Sequence, residues 1–234
     1  MASHLRQLGL DYQFFDAVDG RTLSDDEVRQ VYDEERARRT FYGPLNRGEI
    51  GCALSHVAVW ERIVADNTLA LVLEDDTVLD PATPEILAAL PGLINPQDVV
   101  VLVKTNDNTF YFRQRELPRG RRLVYVNQPF YGALGYVMTP GAARRFIARA
   151  KPLCAPIDFW YDDIGFRGIA PIRAVHPELV SHPLAAVLQT QIGGRERHLR
   201  APDGRAKERS PLRAAWRSLR LKLKNRFFNW PACS

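Results

Sequence analysis

Leu69-Ala70-Leu71-Val72-Leu73-Glu74-Asp75-Asp76 is the stretch on which the fold turns. Its apolar residues run without alternation, as in a strand buried on both faces. Three carboxylates follow at once. Val99-Val100-Val101-Leu102-Val103 repeats the pattern and runs into Lys104-Thr105-Asn106. Upstream, Arg47 to Asp66 has helical periodicity, with Ile50, Leu54, Val57, Ala58 and Ile63 on its inward stripe. Downstream, Leu134 to Met138 predicts a strand, and Thr139-Pro140 opens a helix to about Ala150. Strands alternating with helices predict an open α/β sheet. Ligands in such sheets bind beyond the carboxyl ends of the strands, where Glu74-Asp75-Asp76 and Lys104-Thr105-Asn106 fall.

The remaining elements are shorter. Residues 3–9 read as the last turns of a helix stopped by Gly9, Tyr12 to Phe15 as a short strand, and Asp19-Gly20 as a turn. Residues 24–39 read as one charged helix, with Ser24 and Glu27 spaced as a capping box. Gly43-Pro44 breaks the chain. A helix near 84–89, an edge strand over Leu123–Val126 and short strands near Ile172–Val175 complete the reading, with residues 152–183 otherwise loop-rich.

A chain of 234 residues with 46% hydrophobic and 25% charged composition is globular, which excludes a wholly disordered protein. No apolar run approaches the roughly 20 residues that cross a bilayer, and the N-terminus has no apolar segment of the secretory type. Cys52, Cys154 and Cys233 lack metal-ligand spacing and read as reduced thiols of a cytosolic protein.

The net charge of +5 hides an asymmetry: residues 195–234 carry 12 Lys+Arg against 3 Asp+Glu, and the remainder is mildly acidic. After Ser210-Pro211, residues Leu212, Trp216, Leu219, Leu223, Phe227 and Trp230 recur at helical spacing beside Arg213, Arg217, Arg220 and Lys224. A basic helix with Trp, Phe and Leu on its apolar face suits an anionic membrane surface; docking on the parent domain or pairing of two copies is the alternative. No nucleic acid is expected, because the aromatics lie on the apolar stripe and not among the arginines as stacking platforms. The predicted organisation is an α/β domain over 1–194, a polar linker over 195–209 and a basic amphipathic helix over 210–231.

Three adjacent carboxylates repel one another. A hard divalent cation relieves that repulsion by taking oxygen ligands, and it can bridge to a diphosphate. Alternate residues of an extended segment share a face, so Glu74 and Asp76 can meet one ion while Asp75 points elsewhere. A solvated acidic turn is the alternative.

Arg47-Gly48-Glu49-Ile50-Gly51-Cys52-Ala53-Leu54-Ser55-His56, Trp60-Glu61 and Leu71-Val72-Leu73-Glu74-Asp75-Asp76 together resemble glycosyltransferase family 25. That family includes bacterial lipooligosaccharide galactosyl- and glucosyltransferases and the collagen galactosyltransferases. Gly9 to Gly20 is similar to its opening pattern, Tyr136 to Ala143 to a later strand–helix segment, and Pro156-Ile157-Asp158 to the acidic loop after it. The resemblance runs from about residue 9 to 183. It implies a GT-A-like fold, a Rossmann-like open mixed sheet flanked by helices. It implies a UDP-sugar donor, Mn²⁺ or Mg²⁺, and transfer with inversion. Family members usually open with an apolar strand of the type VxVINLxR, which does not precede Met1-Ala2-Ser3-His4 here. The sheet is therefore expected to lack that first strand and to leave an edge open.

On this resemblance Glu74 and Asp76 hold the metal–diphosphate, with His182 (or His176) as a further ligand. Asp75 contacts the donor, and Lys104 and Asn106 lie at the donor-binding edge. Inversion needs a base for the acceptor hydroxyl; Asp158 is the first choice, with Asp162 and Asp163 as rivals. Glu49, Ser55 and His56 line or brace the donor pocket. Glu49, Cys52 and His56 share a helix face, but with no fourth ligand nearby zinc is not the reading taken, and Cys52 reads as a small packing residue. The expected activity is transfer of galactose, or glucose, to a lipooligosaccharide-core or other lipid-linked glycan. The expected place is the inner face of the bacterial cytoplasmic membrane. A non-catalytic family member that binds UDP-sugar or serves membrane assembly is the alternative.

Overall fold

The computed structural model describes residues 1–40, 42–103, 110–126, 132–159 and 169–181, with backbone only over 110–113. Lys104, Thr105, Asn106, Asp162, Asp163, His182, the linker and the basic tail helix lie outside the described residues.

The described elements are α1 (Ala2–Gln7), α2 (Asp25–Val31), α3 (Glu34–Arg38), α4 (Arg47–Asp66), β1 (Ala70–Leu73), β2 (Val78–Leu79), α5 (Thr83–Ala89), β3 (Val99–Val101), β4 (Phe110–Glu116), β5 (Arg122–Tyr125), β6 (Gly135–Met138), α6 (Pro140–Ala150), β7 (Ile172–His176) and β8 (Val180–Ser181). Six strands form one mixed sheet in the order β1-β6-β3-β7-β5-β4, and β2 pairs with β8 separately. β1 and β3 are both antiparallel to β6, and β7 is parallel to β3. The carboxyl ends of β1, β3 and β7 therefore share one edge with the start of β6. Helices flank this sheet, as an α/β chain requires.

Local chemistry sets the helix bounds. Ser24 accepts from the Glu27 N–H while the Glu27 carboxylate accepts from Ser24, so α2 starts at a full capping box. The single helix expected over 24–39 is two, because Asp33 caps α3 afresh and the backbone at Tyr32 is extended. Tyr32 bridges to Leu153 instead, which draws the chain out of the helical path. Thr139 caps α6, with Pro140 in its first turn. Trp60 of α4 meets Phe146 of α6 edge to face at 5.2 Å, both fully buried.

Four other expectations change. Tyr12 to Phe15 forms no strand, and Phe14 stands 68% exposed. The inward stripe of α4 is Ile50, Ala53, His56, Val57, Trp60 and Ile63, with Leu54 and Ala58 only half-buried. β1 is not buried on both faces: Val72 alone is buried, because among the described residues β1 is the outermost strand and pairs only with β6. β3, in the sheet interior, is wholly buried. β5 is not an edge strand, because β4, unread in the sequence, pairs outside it.

Candidate active site

The turn after β1 is tied to the entrance of β6. Glu74 N–H donates to the Leu134 carbonyl at 3.0 Å, and the buried Thr77 hydroxyl donates to the same oxygen at 3.0 Å. Thr77 N–H closes the turn on the Glu74 carbonyl at 3.3 Å. Glu74 and Asp76 are half-buried and Asp75 is exposed, but the expected extended segment is a turn at Asp75-Asp76, so strand alternation does not set this pattern.

α4 brings its polar face against this turn. His56 is 7% exposed, and its Nδ1 lies 2.7 Å from the Tyr136 hydroxyl, to which Trp60 Nε1 donates at 2.8 Å. The His56 ring stacks on Tyr136, with centroids 5.8 Å apart. One hydrogen bond to Tyr136, which Trp60 holds in turn, and a ring contact thus fix the imidazole. Its Nε2 points at Glu74, 3.8 Å from Oε1. Cys52, one turn earlier, places its sulfur in the same group: one ligand atom each from Cys52, His56 and Glu74 lie within 4.8 Å of one another. The Cys52 thiol is pushed up to about 12, by burial first and then by the charges of Glu74, Asp158 and Glu49. Negative charge therefore converges here from α4, from the end of β1 and from the loop that carries Asp158.

Asp158 sits in a 3-10 turn, Ile157–Phe159. Its Oδ1 accepts from Ala133 N–H at 3.2 Å, and its carbonyl accepts from Gly132 N–H at 3.2 Å. It thereby braces the segment that enters β6. Phe159 stacks on Tyr42 at 3.8 Å beside it. His176 ends β7, half-buried at the same sheet edge.

Two residues expected in the donor pocket have structural work. Glu49 is buried, and its carboxylate accepts from Asn46 N–H at 2.9 Å while Asn46 caps the Glu49 N–H, a second capping box. The Asn46-x-x-Glu49 spacing carried that signal. Ser55 Oγ donates to the Gly51 carbonyl and accepts from Val18 N–H, both at 2.8 Å. This latches the segment before α2 onto α4. The contact is close enough to require glycine on both sides. A Cβ on Gly51 would stand 2.5 Å from Gly20 N and Val18 O, and one on Gly20 would stand 1.7 Å from Arg47 O. The role of Tyr136 went unread, because nothing local to Gly135–Met138 announces a partner 80 residues away.

The family model described as glycosyltransferase family 25 (LPS biosynthesis protein) matches residues 1–161. The chain belongs to glycosyltransferase family 25. A glycosyltransferase 25 family member of Aedes aegypti is 45% identical over 178 residues, covering 68% of this chain and 27% of the relative. Procollagen galactosyltransferase 1-A of Xenopus laevis is 29% identical over 171 residues, covering 68% and 27%. The relative in Mus musculus, 34% identical over 175 residues and covering 68% and 28%, bears the name inactive glycosyltransferase 25 family member 3. The chain thus spans little more than a quarter of the length of these family members.

Proposed function

We propose that this chain is an inverting, metal-dependent glycosyltransferase. It moves galactose, or glucose as the second choice, from a UDP-sugar to a glycan acceptor of the lipooligosaccharide-core or other lipid-linked type. The observation that carries the reading is the convergence at the carboxyl edge of the sheet: Glu74 and Asp76 after β1, His56 from α4, and Asp158 within electrostatic reach. The description of the family model supports the lipopolysaccharide side, and the name of the Xenopus relative supports galactose.

Oxygen donors alone at Glu74 and Asp76, drawn partly out of water, fit a hard cation such as Mn²⁺ or Mg²⁺. When bound, that cation supplies charge neutralisation at the diphosphate leaving group. His182 is a further candidate ligand. Asp75, facing solvent, is free to meet donor hydroxyls, with Lys104 and Asn106 as companions. Asp158 takes the acceptor proton, with Ala133 N–H holding one of its oxygens in place; Asp162 and Asp163 are the rivals. The basic helix over 210–231 holds the protein at the anionic inner face of the cytoplasmic membrane.

The test is turnover of UDP-galactose and UDP-glucose with Mn²⁺. Asp76→Ala is expected to lose at least about 100-fold, the scale for removing one preorganised electrostatic contact. Asp158→Asn is expected to lower kcat while UDP binding persists. Undiminished turnover in Asp76→Ala contradicts the metal role. A second reading, a non-catalytic member that binds UDP-sugar or serves membrane assembly, draws on the mouse relative's name. Tight UDP binding without transfer to any acceptor would select it.

A further inference from the structure

We infer that Cys52, His56 and Glu74 form a site for one thiophilic divalent cation of the Zn²⁺ class, distinct from the oxygen-donor site proposed for the diphosphate. The sequence alone set Glu49 beside Cys52 and His56 and found no closing ligand. The fold turns Glu49 into the capping box of α4 and brings Glu74 in its place.

The distances suit one ion. A tetrahedral centre with ordinary Zn–S, Zn–N and Zn–O bonds separates its ligand atoms by about 3.3–3.6 Å. His56 Nε2 and Glu74 Oε1 are 3.8 Å apart, and the three ligand atoms lie within 4.8 Å of one another. Only small side-chain adjustments are needed. The ligand atoms are also unspent. His56 Nε2 makes no hydrogen bond among the described residues, although the ring is 7% exposed, and Cys52 Sγ makes none there either.

The imidazole is already oriented. Its Nδ1 is engaged by Tyr136, which Trp60 holds in turn, the kind of outer contact that fixes a metal-bound histidine. The surrounding carboxylates favour a cation. The mixed sulfur, nitrogen and oxygen set selects Zn²⁺ or Co²⁺ over Mn²⁺ and Mg²⁺. Three protein ligands leave a fourth position for water or a substrate oxygen, as in catalytic zinc sites. The Glu74 side chain is 32% exposed, so that position is reachable from solvent. Glu74 is the one residue shared with the donor site, so the two sites are separated through Cys52 and Asp76.

The test is titration of the full chain, stripped with chelator, with Co²⁺. A thiolate-to-cobalt charge-transfer band should rise to saturation at one equivalent and vanish on adding Zn²⁺. It should be absent in Cys52→Ala and in His56→Ala, and retained in Asp76→Ala and in the Cys154→Ala/Cys233→Ser double variant. Tyr136→Phe should weaken Co²⁺ binding by about 10- to 100-fold. Melting of each variant in chelator shows that it folds. No band in the wild type, or a band that survives Cys52→Ala, overturns the site. Either result leaves the Mn²⁺–UDP reading standing, because that reading is tested separately, through the Mn²⁺ dependence of UDP binding and turnover and their loss in Asp76→Ala.

Discussion

Two pairings between a carboxylate and a nitrogen base stand at opposite ends of the sheet's strands. Before β3, Asp98 is fully buried; it accepts from Asn95 N–H at 3.0 Å and from Arg173 NH1 at 3.4 Å. Arg173, 3% exposed, also lies over the Tyr125 ring at 4.1 Å. At the other end, His56 faces Glu74 at 3.8 Å, outside hydrogen-bond range, and Glu74 reaches solvent. The first pair is shut away from solvent and joins the amino ends of β3 and β7, although Asp98 Oδ1 and Arg173 Nε make no hydrogen bond of their own. The second is open, and its imidazole is braced from behind, not from in front. The two pairs differ in access: the structural pair is sealed at both partners, whereas the second opens to solvent through Glu74.

The largest expected effect sharpens that contrast. Arg173→Ala strands a buried carboxylate and should cost about 3–5 kcal/mol in denaturant unfolding. Glu74→Gln breaks a long, partly exposed pair and should cost at most about 1 kcal/mol. Equal losses would break the comparison. Next in size, Gly51→Ala pushes a methyl group into Gly20 N and Val18 O. Overpacking of that kind costs about 1–3 kcal/mol, measurable as a lower Tm. A neutral result would mean that the segment before α2 yields readily.

The smallest effect is in pH. The Cys52 thiol is raised from its ordinary 9.0 to about 12 in the folded protein. Unfolded chains lose that proton near 9 while folded ones keep it, so stability is full below that pH and falls as pH rises toward 12. Between about pH 8 and pH 10 the wild type should lose stability faster than Cys52→Ala in paired unfolding curves.

The sequence marked the helices best where caps are local. Arg47 and Asp66 bound α4 as read, and Ser24, Thr139 and Pro140 stand at their helix starts as read. Strand order was not legible, because pairing partners are distant in the chain: the apolar run of β1 reads as buried on both faces, yet β1 lies outermost among the described strands, and the polar β4 gave no strand pattern. The site was legible as residue types, not as contacts. Glu74, Asp76, His56 and Asp158 were named from the motif, yet the grip of Tyr136 on His56 and the turn of Glu74 toward Cys52 depend on how α4 packs against β6. Ser55 reads as a pocket residue from its motif and serves as a backbone latch, which only the approach of Val18 reveals.

The most direct test of the account is thermal unfolding with UDP, with and without Mn²⁺, for the wild type and Asp76→Ala. At about a hundredfold excess over Kd, bound UDP stabilises by about 2.7 kcal/mol, a Tm shift of several degrees. The account predicts that shift in the wild type only when Mn²⁺ is present, and its loss in Asp76→Ala. A shift that needs no Mn²⁺, or one that Asp76→Ala keeps in full, would contradict a metal–diphosphate site at the acids after β1.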